Sequence, residues 1–175
     1  MILHLHTPRT TSRVARAALI ALAALLPLPS CADDDGGETD PLEDVELDVC
    51  EHYEQGPIAA VTAGTDAASA TATNSVHTRY DVSLPSGAGF VKVAIEAAST
   101  YSFFFSDDAT VVFKDVSGAV VAPVETRTGS AWCDAIGKAY VVTLGVGTYT
   151  IEITGASGAT ATQFVFLDPA VEEEE

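Results

Sequence analysis

From residue 57 to residue 167 apolar side chains recur at every second position, and this period of two constrains the fold more than any other feature of the chain. In Phe90-Val91-Lys92-Val93-Ala94-Ile95-Glu96, Val91, Val93 and Ile95 point one way and Lys92 and Glu96 the other, as in a half-buried strand. Tyr101, Phe103 and Phe105 alternate with Ser102 and Ser106, although Phe104 intrudes on the polar phase. Tyr149, Ile151 and Ile153 alternate with Thr148, Thr150, Glu152 and Thr154. The same pattern predicts strands at 58–62, 77–84, 110–116, 119–124, 139–144 and 162–167. Turn-forming clusters separate them: Pro85-Ser86-Gly87, Ser106-Asp107-Asp108, Ser117-Gly118, Gly145-Val146-Gly147 and Gly155-Ala156-Ser157-Gly158. About nine short strands, each with one apolar face, bury those faces by stacking two sheets. The expected fold is therefore all-β: an antiparallel, jelly-roll-like two-sheet β-sandwich over residues 57–171. No stretch reads as an amphipathic helix, and the alanine-, threonine- and serine-rich run 63–75 reads as a mobile loop.

The first thirty residues have a different character. Arg9, Arg13 and Arg16 stand without acids ahead of Ala17 to Leu28, which is nearly all alanine and leucine. A basic segment followed by an apolar run of about a dozen residues is the pattern of an export signal, and the run is short of the roughly 20 residues a membrane-spanning helix needs. Residues 1–30 are thus expected to be a signal peptide. Leu28-Pro29-Ser30-Cys31 resembles the lipobox of bacterial lipoproteins, with proline at the second position as a departure. The resemblance implies that Cys31 is acylated and becomes the first residue of the mature chain, and that several acyl chains on one residue hold it stably in a membrane. Ala32 in place of an aspartate implies the outer membrane. The alternative is an ordinary signal peptide and a secreted protein, which would leave Cys31 a spare thiol.

Charge reinforces this division. The 175 residues carry a formal net charge of −17, which argues against nucleic acid as a partner, since phosphate backbones select for clustered lysine and arginine. Residues 31–56 hold eleven acids and no lysine or arginine, Glu172 to Glu175 add four, and residues 57–171 keep ten acids against five bases. Like charge and scarce apolar surface make 31–56 an expected flexible tether and 172–175 an acidic tail. The aspartates at 33–35 lack the spaced ligands and bidentate glutamate of a calcium-binding EF-hand loop.

Arg79-Tyr80-Asp81-Val82-Ser83-Leu84, the 111–121 run with its Asp115-Val116-Ser117-Gly118 turn, and Gly147-Thr148-Tyr149-Thr150-Ile151-Glu152-Ile153 resemble the bacterial pre-peptidase carboxy-terminal domain. That family is a small jelly-roll-like sandwich appended to secreted proteins. The resemblance spans roughly residues 76–167 and implies a fold, not an activity.

The residues able to carry chemistry are few. In an exported chain Cys50 and Cys133 most simply form a disulfide. The competing reading takes Cys50-Glu51-His52 as extended, so that Cys50 and His52 face one ion and His77 with Cys133 completes a Cys2His2 set for zinc or copper. The two readings exclude each other, because a bridged cysteine is no thiolate ligand. Asp107-Asp108 reads as a solvated hairpin tip rather than a catalytic carboxylate pair, and Trp132 as a core plug packed on a disulfide. Binding of glycan needs exposed aromatics in line, whereas Tyr53, Tyr80, Tyr101, Tyr140 and Tyr149 lie mostly on apolar phases. With no GxSxG, HExxH or glycine-rich phosphate loop, no enzymatic activity is expected. The reading is a membrane-anchored, non-enzymatic lipoprotein of the cell envelope, a binding or structural module that meets the membrane through its lipid anchor and whose protein or glycan partner the sequence leaves unknown. A zinc- or copper-binding protein is the alternative, and a hydrolase accessory is a weaker third.

Overall fold

The computed structural model describes residues 41–168, with side chains from residue 44 onward. The expected signal peptide, Cys31, the first ten residues of the expected tether and the acidic tail 172–175 lie outside the described residues. In chain order the elements are α1 (Pro41–Gln55), β1 (Ile58–Thr62), β2 (Thr71–Ala72), β3 (Arg79–Ser83), β4 (Ala88–Ile95) and β5 (Ser99–Phe105). They continue with β6 (Thr110–Lys114), β7 (Val120–Val121), β8 (Glu125–Thr128), β9 (Lys138–Leu144), β10 (Gly147–Thr154), a single 3-10 turn (Ala156–Gly158) and β11 (Ala161–Leu167).

The strands form two sheets packed as a sandwich. One has six strands in the order β1-β3-β11-β5-β9-β8 and the other five in the order β2-β4-β10-β6-β7. Pairing is antiparallel except at one edge of each sheet, where β1 runs parallel to β3 and β2 parallel to β4. Each of the nine strands read from the sequence is present, shortened at some ends. The pairs β10–β4 (Ile151 opposite Val91) and β11–β5 (Phe166 opposite Phe103) set the register that turns the apolar phase inward. Between the sheets lie Val82, Phe103, Phe105, Phe164 and Phe166 from the six-stranded sheet against Val91, Val93, Phe113, Ile151 and Ile153 from the five-stranded one. Ring centroids are 4.9 Å apart for Phe103–Phe113 and 5.3 Å for Phe103–Phe166, within aromatic packing range.

Two expectations are overturned here. Residues 41–55, read as flexible tether, are the helix α1. Asp44, Glu51 and Glu54 are exposed, while Val45, Val49 and Tyr53, four residues apart, make an inward stripe on the six-stranded sheet. Pro41 stands at the first helical position, where its missing N–H costs nothing, and Gly56-Pro57 ends the helix. Residues 63–75, read as a mobile loop, contain the short strand β2. The segment is tied further by a bridge from Gly64 to Phe90 and by Asn74 Oδ1 accepting from the Ala94 N–H at 3.1 Å. Thr73 is buried, and its hydroxyl donates to the Lys92 carbonyl at 3.0 Å.

Beneath α1 a second apolar cluster forms on the outer face of the six-stranded sheet, from Val49, Tyr53, Phe104, Cys133, Ile136, Ala139, Val165 and Leu167. Phe104, the residue that broke the polar phase of β5, is one of its anchors. The six-stranded sheet is therefore covered on both faces, and the five-stranded sheet on one.

Candidate functional site

Cys50 on α1 and Cys133 in the loop before β9 form a disulfide across 83 residues, with Cα atoms 5.6 Å apart. The pairing takes both thiols out of the Cys2His2 set, which does not form. The loop carrying Cys133 is held to α1 a second time through Glu46, a carboxylate only 3% exposed. The Ser130 hydroxyl donates to Glu46 Oε2 and accepts the Cys133 N–H at 2.9 Å and the Trp132 N–H at 3.0 Å. Arg127 Nη1 lies 4.0 Å from Glu46 Oε1. Trp132 itself is 36% exposed, so Cys133 and Ile136, not the tryptophan, plug the space under the helix.

The two histidines of that set do meet, with a different third member. In a helix, residues four apart share a face, so Asp48 and His52 present their side chains together. His77 comes from the loop before β3 and holds a left-handed backbone, φ 54°, that most residues avoid. Its amide N–H donates to the Phe166 carbonyl at 3.1 Å, which fixes the loop to β11. His52 Nε2 lies 3.0 Å from His77 Nδ1, His52 Nε2 lies 3.4 Å from Asp48 Oδ2, and His77 Nδ1 lies 3.5 Å from the same oxygen. The side chains of His52, His77 and Asp48 are 17%, 31% and 36% exposed, a site at the seam between helix and sandwich that opens to solvent on one side.

Two polar atoms of this site are left over. Asp48 Oδ2 and His52 Nδ1 are buried without a hydrogen-bond partner, and they are the buried side-chain atoms so placed among the described residues. Buried polar groups are ordinarily satisfied, so a pair of exceptions at one place calls for an explanation.

Around the site the last turn of α1 is anchored firmly. The Tyr53 hydroxyl donates to the Phe104 carbonyl at 2.8 Å, and burial pushes its pKa well above the ordinary tyrosine range. Arg79 donates from Nη1 to the Tyr53 carbonyl and from Nε to Asp81 Oδ1 at 3.0 Å, and Gln163 Nε2 donates to the same Asp81 oxygen at 2.9 Å. Tyr80, Tyr101 and Tyr140 are likewise buried, which leaves Tyr149 as the one partly exposed tyrosine of the five. The two carboxylates at the β5–β6 turn serve separate structural bonds: Asp107 Oδ1 accepts from the Thr162 hydroxyl at 3.0 Å, and Asp108 Oδ1 accepts from Lys138 Nζ at 2.8 Å.

The outer face of the five-stranded sheet carries an open groove of about 430 Å³ whose lining includes Lys92, Lys114, Asp115, Thr148 and Thr150. Lys114 Nζ is paired to Glu152 Oε2 at 2.7 Å, and Lys92 Nζ donates to the Ala68 carbonyl at 3.4 Å.

No protein-family model matches the chain, and no curated protein does. Among solved structures, the pre-peptidase C-terminal domain of a collagenase from Bacillus anthracis is similar with a TM-score of 0.38 and 11% identity, covering 63% of this chain and 97% of that one. The two-sheet architecture stands on the strand pairing described above.

Proposed function

We propose that the protein is an exported lipoprotein of the cell envelope, anchored through Cys31, whose sandwich is a non-enzymatic binding or structural module. The observation that carries this reading is the Cys50–Cys133 disulfide, with Cys133 fully enclosed beneath α1. Such bridges persist in oxidising compartments and are rare where glutathione keeps thiols reduced, in agreement with an export signal at residues 1–30. Because α1 covers the outer face of the six-stranded sheet, the face offered to a partner is the outer face of the five-stranded sheet with its Lys92 and Lys114 groove.

The test is replacement of the anchor. Wild-type protein expressed in a Gram-negative host incorporates radiolabelled fatty acid and sediments with outer membranes. Cys31→Ser incorporates none and appears in the soluble periplasmic or medium fraction. A Cys31→Ser protein that still sediments with membranes in detergent-reversible form rejects the anchor, and failure of the wild type to leave the cytoplasm rejects export.

A further inference from the structure

We propose that Asp48, His52 and His77 form a binding site for a single divalent transition-metal ion of the zinc class, with a fourth position open to water. Three donor atoms from two separate elements converge at spacings of 3.0, 3.4 and 3.5 Å. Zinc bound tetrahedrally, at about 2.0–2.1 Å from nitrogen and 2.0–2.2 Å from oxygen, holds neighbouring ligand atoms roughly 3.3–3.5 Å apart. A point about 2.05 Å from all three atoms lies roughly 0.7 Å out of their plane, close to the height of a tetrahedral centre above one of its faces.

The chemistry of the donors selects the ion. Two imidazoles and one carboxylate suit zinc, copper(II) or nickel(II), whereas calcium requires six to eight oxygens and magnesium retains a water shell. A bound cation would give buried Asp48 Oδ2 the partner it lacks and would turn the close approach of the two ring nitrogens into shared ligation. The surroundings favour a cation as well: α1 carries six acids in fifteen residues and no lysine or arginine, which raises the local cation concentration. The side chains of Asp48 and His77 are about one-third exposed, so an ion can enter and its fourth ligand can be solvent. The site is independent of the Cys31 anchor and of the groove on the five-stranded sheet.

The experiment uses protein purified from an oxidising compartment with its disulfide intact, stripped with chelator and dialysed. Zn²⁺ and Cu²⁺ are titrated by calorimetry, and stoichiometry is read by native mass spectrometry. One ion should bind per chain and raise Tm, because an ion bound only to the folded state stabilises it. Tetrahedral ligation is read from the intense visible absorption of a cobalt(II) substitute. His52→Gln and His77→Asn should each weaken binding by at least about 10–100-fold, the loss that removing even an outer-shell partner can produce. Asparagine is chosen at residue 77 because it tolerates the left-handed backbone there, so the variant tests the ligand and not the loop. Glu51→Gln, exposed on the same turn of α1, should bind as the wild type does. Binding that survives in the His52→Gln/His77→Asn double variant, with circular dichroism unchanged, places the ion elsewhere on this acidic chain and overturns the proposal. So does the absence of a bound equivalent in the wild type, which would leave Asp48 and His52 as an ordinary side-chain contact along the helix.

Discussion

Gly56 can carry no side chain without disturbing His52. A Cβ built at residue 56 would lie 2.8 Å from the Cα, the carbonyl oxygen and the ring Nδ1 of His52, and two of those atoms are backbone that cannot swing aside. Gly56→Ala should therefore cost about 1–3 kcal/mol, the range for overpacking a filled site, and should tilt the His52 ring away from His77. Urea unfolding checks the stability, and the histidine ring resonances in NMR spectra check the displacement; an unchanged midpoint would mean that the turn ending α1 relaxes freely. A different residue contributes to behaviour in acid. Asp115 Oδ1 accepts from the Ser117 hydroxyl at 2.6 Å and from the Ser117 and Ala119 N–H groups at 2.8 and 2.9 Å, and these bonds hold its carboxyl below the usual 3.8. A group whose pKa is depressed by folding adds stability above its unfolded value and loses it as pH falls through the folded one. Stability should thus decline below about pH 4, and Asp115→Asn, which lacks the ionised acceptor, should be less stable than the wild type at pH 7 and converge with it in acid, flattening that decline in urea unfolding followed against pH. Both histidines of the Asp48–His52–His77 cluster were recognisable in the sequence by residue type, but their proximity was not, since 25 positions separate them. Asp48 escaped notice because it stands among eleven acids of one segment. Its spacing of four from His52 acquires meaning only once that segment is known to be helical.

The helix α1 was concealed by its own charge. Read as composition, residues 41–55 hold six acids and no lysine or arginine, yet the apolar stripe Val45, Val49, Tyr53 keeps helical period. Isolated, so short a run of like charge would be a poor helix, and tertiary packing supplies what propensity does not. The complementary signal lay in the strands. Phe103-Phe104-Phe105 and Phe164-Val165-Phe166-Leu167 are apolar on both phases, the mark of strands buried on two faces, whereas β4 and β10 bury only one phase and leave the other partly exposed. The disulfide holds this arrangement by closing a loop of 83 residues, a constraint worth about 4–5 kcal/mol in the chain-entropy account. Cys50→Ser/Cys133→Ser should lower unfolding stability by about 2–5 kcal/mol. Amide exchange in α1 should rise more than in β5 or β11, because Asp48 and His52 ride on the segment that is released. Equal loss of protection across all three elements would show that the helix and sheet unfold as one unit. Glu46→Ala removes the oxygen that the Ser130 hydroxyl reaches and should cost about 1–3 kcal/mol even with the disulfide intact, measured by thermal unfolding under oxidising conditions.

At the scale of the whole molecule, the start of α1 at Pro41 alters the geometry of anchoring. A tether running from Cys31 to residue 56 would have a root-mean-square reach of roughly 25–30 Å were it a flexible chain throughout. With the helix docked on the sandwich, nine residues lie between Cys31 and Pro41, and the ten residue steps from one to the other, at about 3.3–3.6 Å each, span at most about 33–36 Å. The six acids of α1 follow that stretch directly in the chain, so if Cys31 is anchored in an anionic membrane the headgroups repel them, and the repulsion grows as salt is withdrawn. If Cys31 carries the anchor, neutron reflectometry of the lipidated protein on a supported anionic bilayer should find the edge of the protein layer no farther than about 36 Å from the headgroups, moving outward within that limit at low salt. Insertion of ten residues after Gly37 should extend the limit by about the same distance again and leave Tm unchanged, because attachment and folding reside in separate stretches of chain. A layer edge standing beyond the covalent limit in the unmodified protein would mean that the membrane is engaged through something other than Cys31. A fall in Tm on insertion would mean that residues before Pro41 contribute to the folded body.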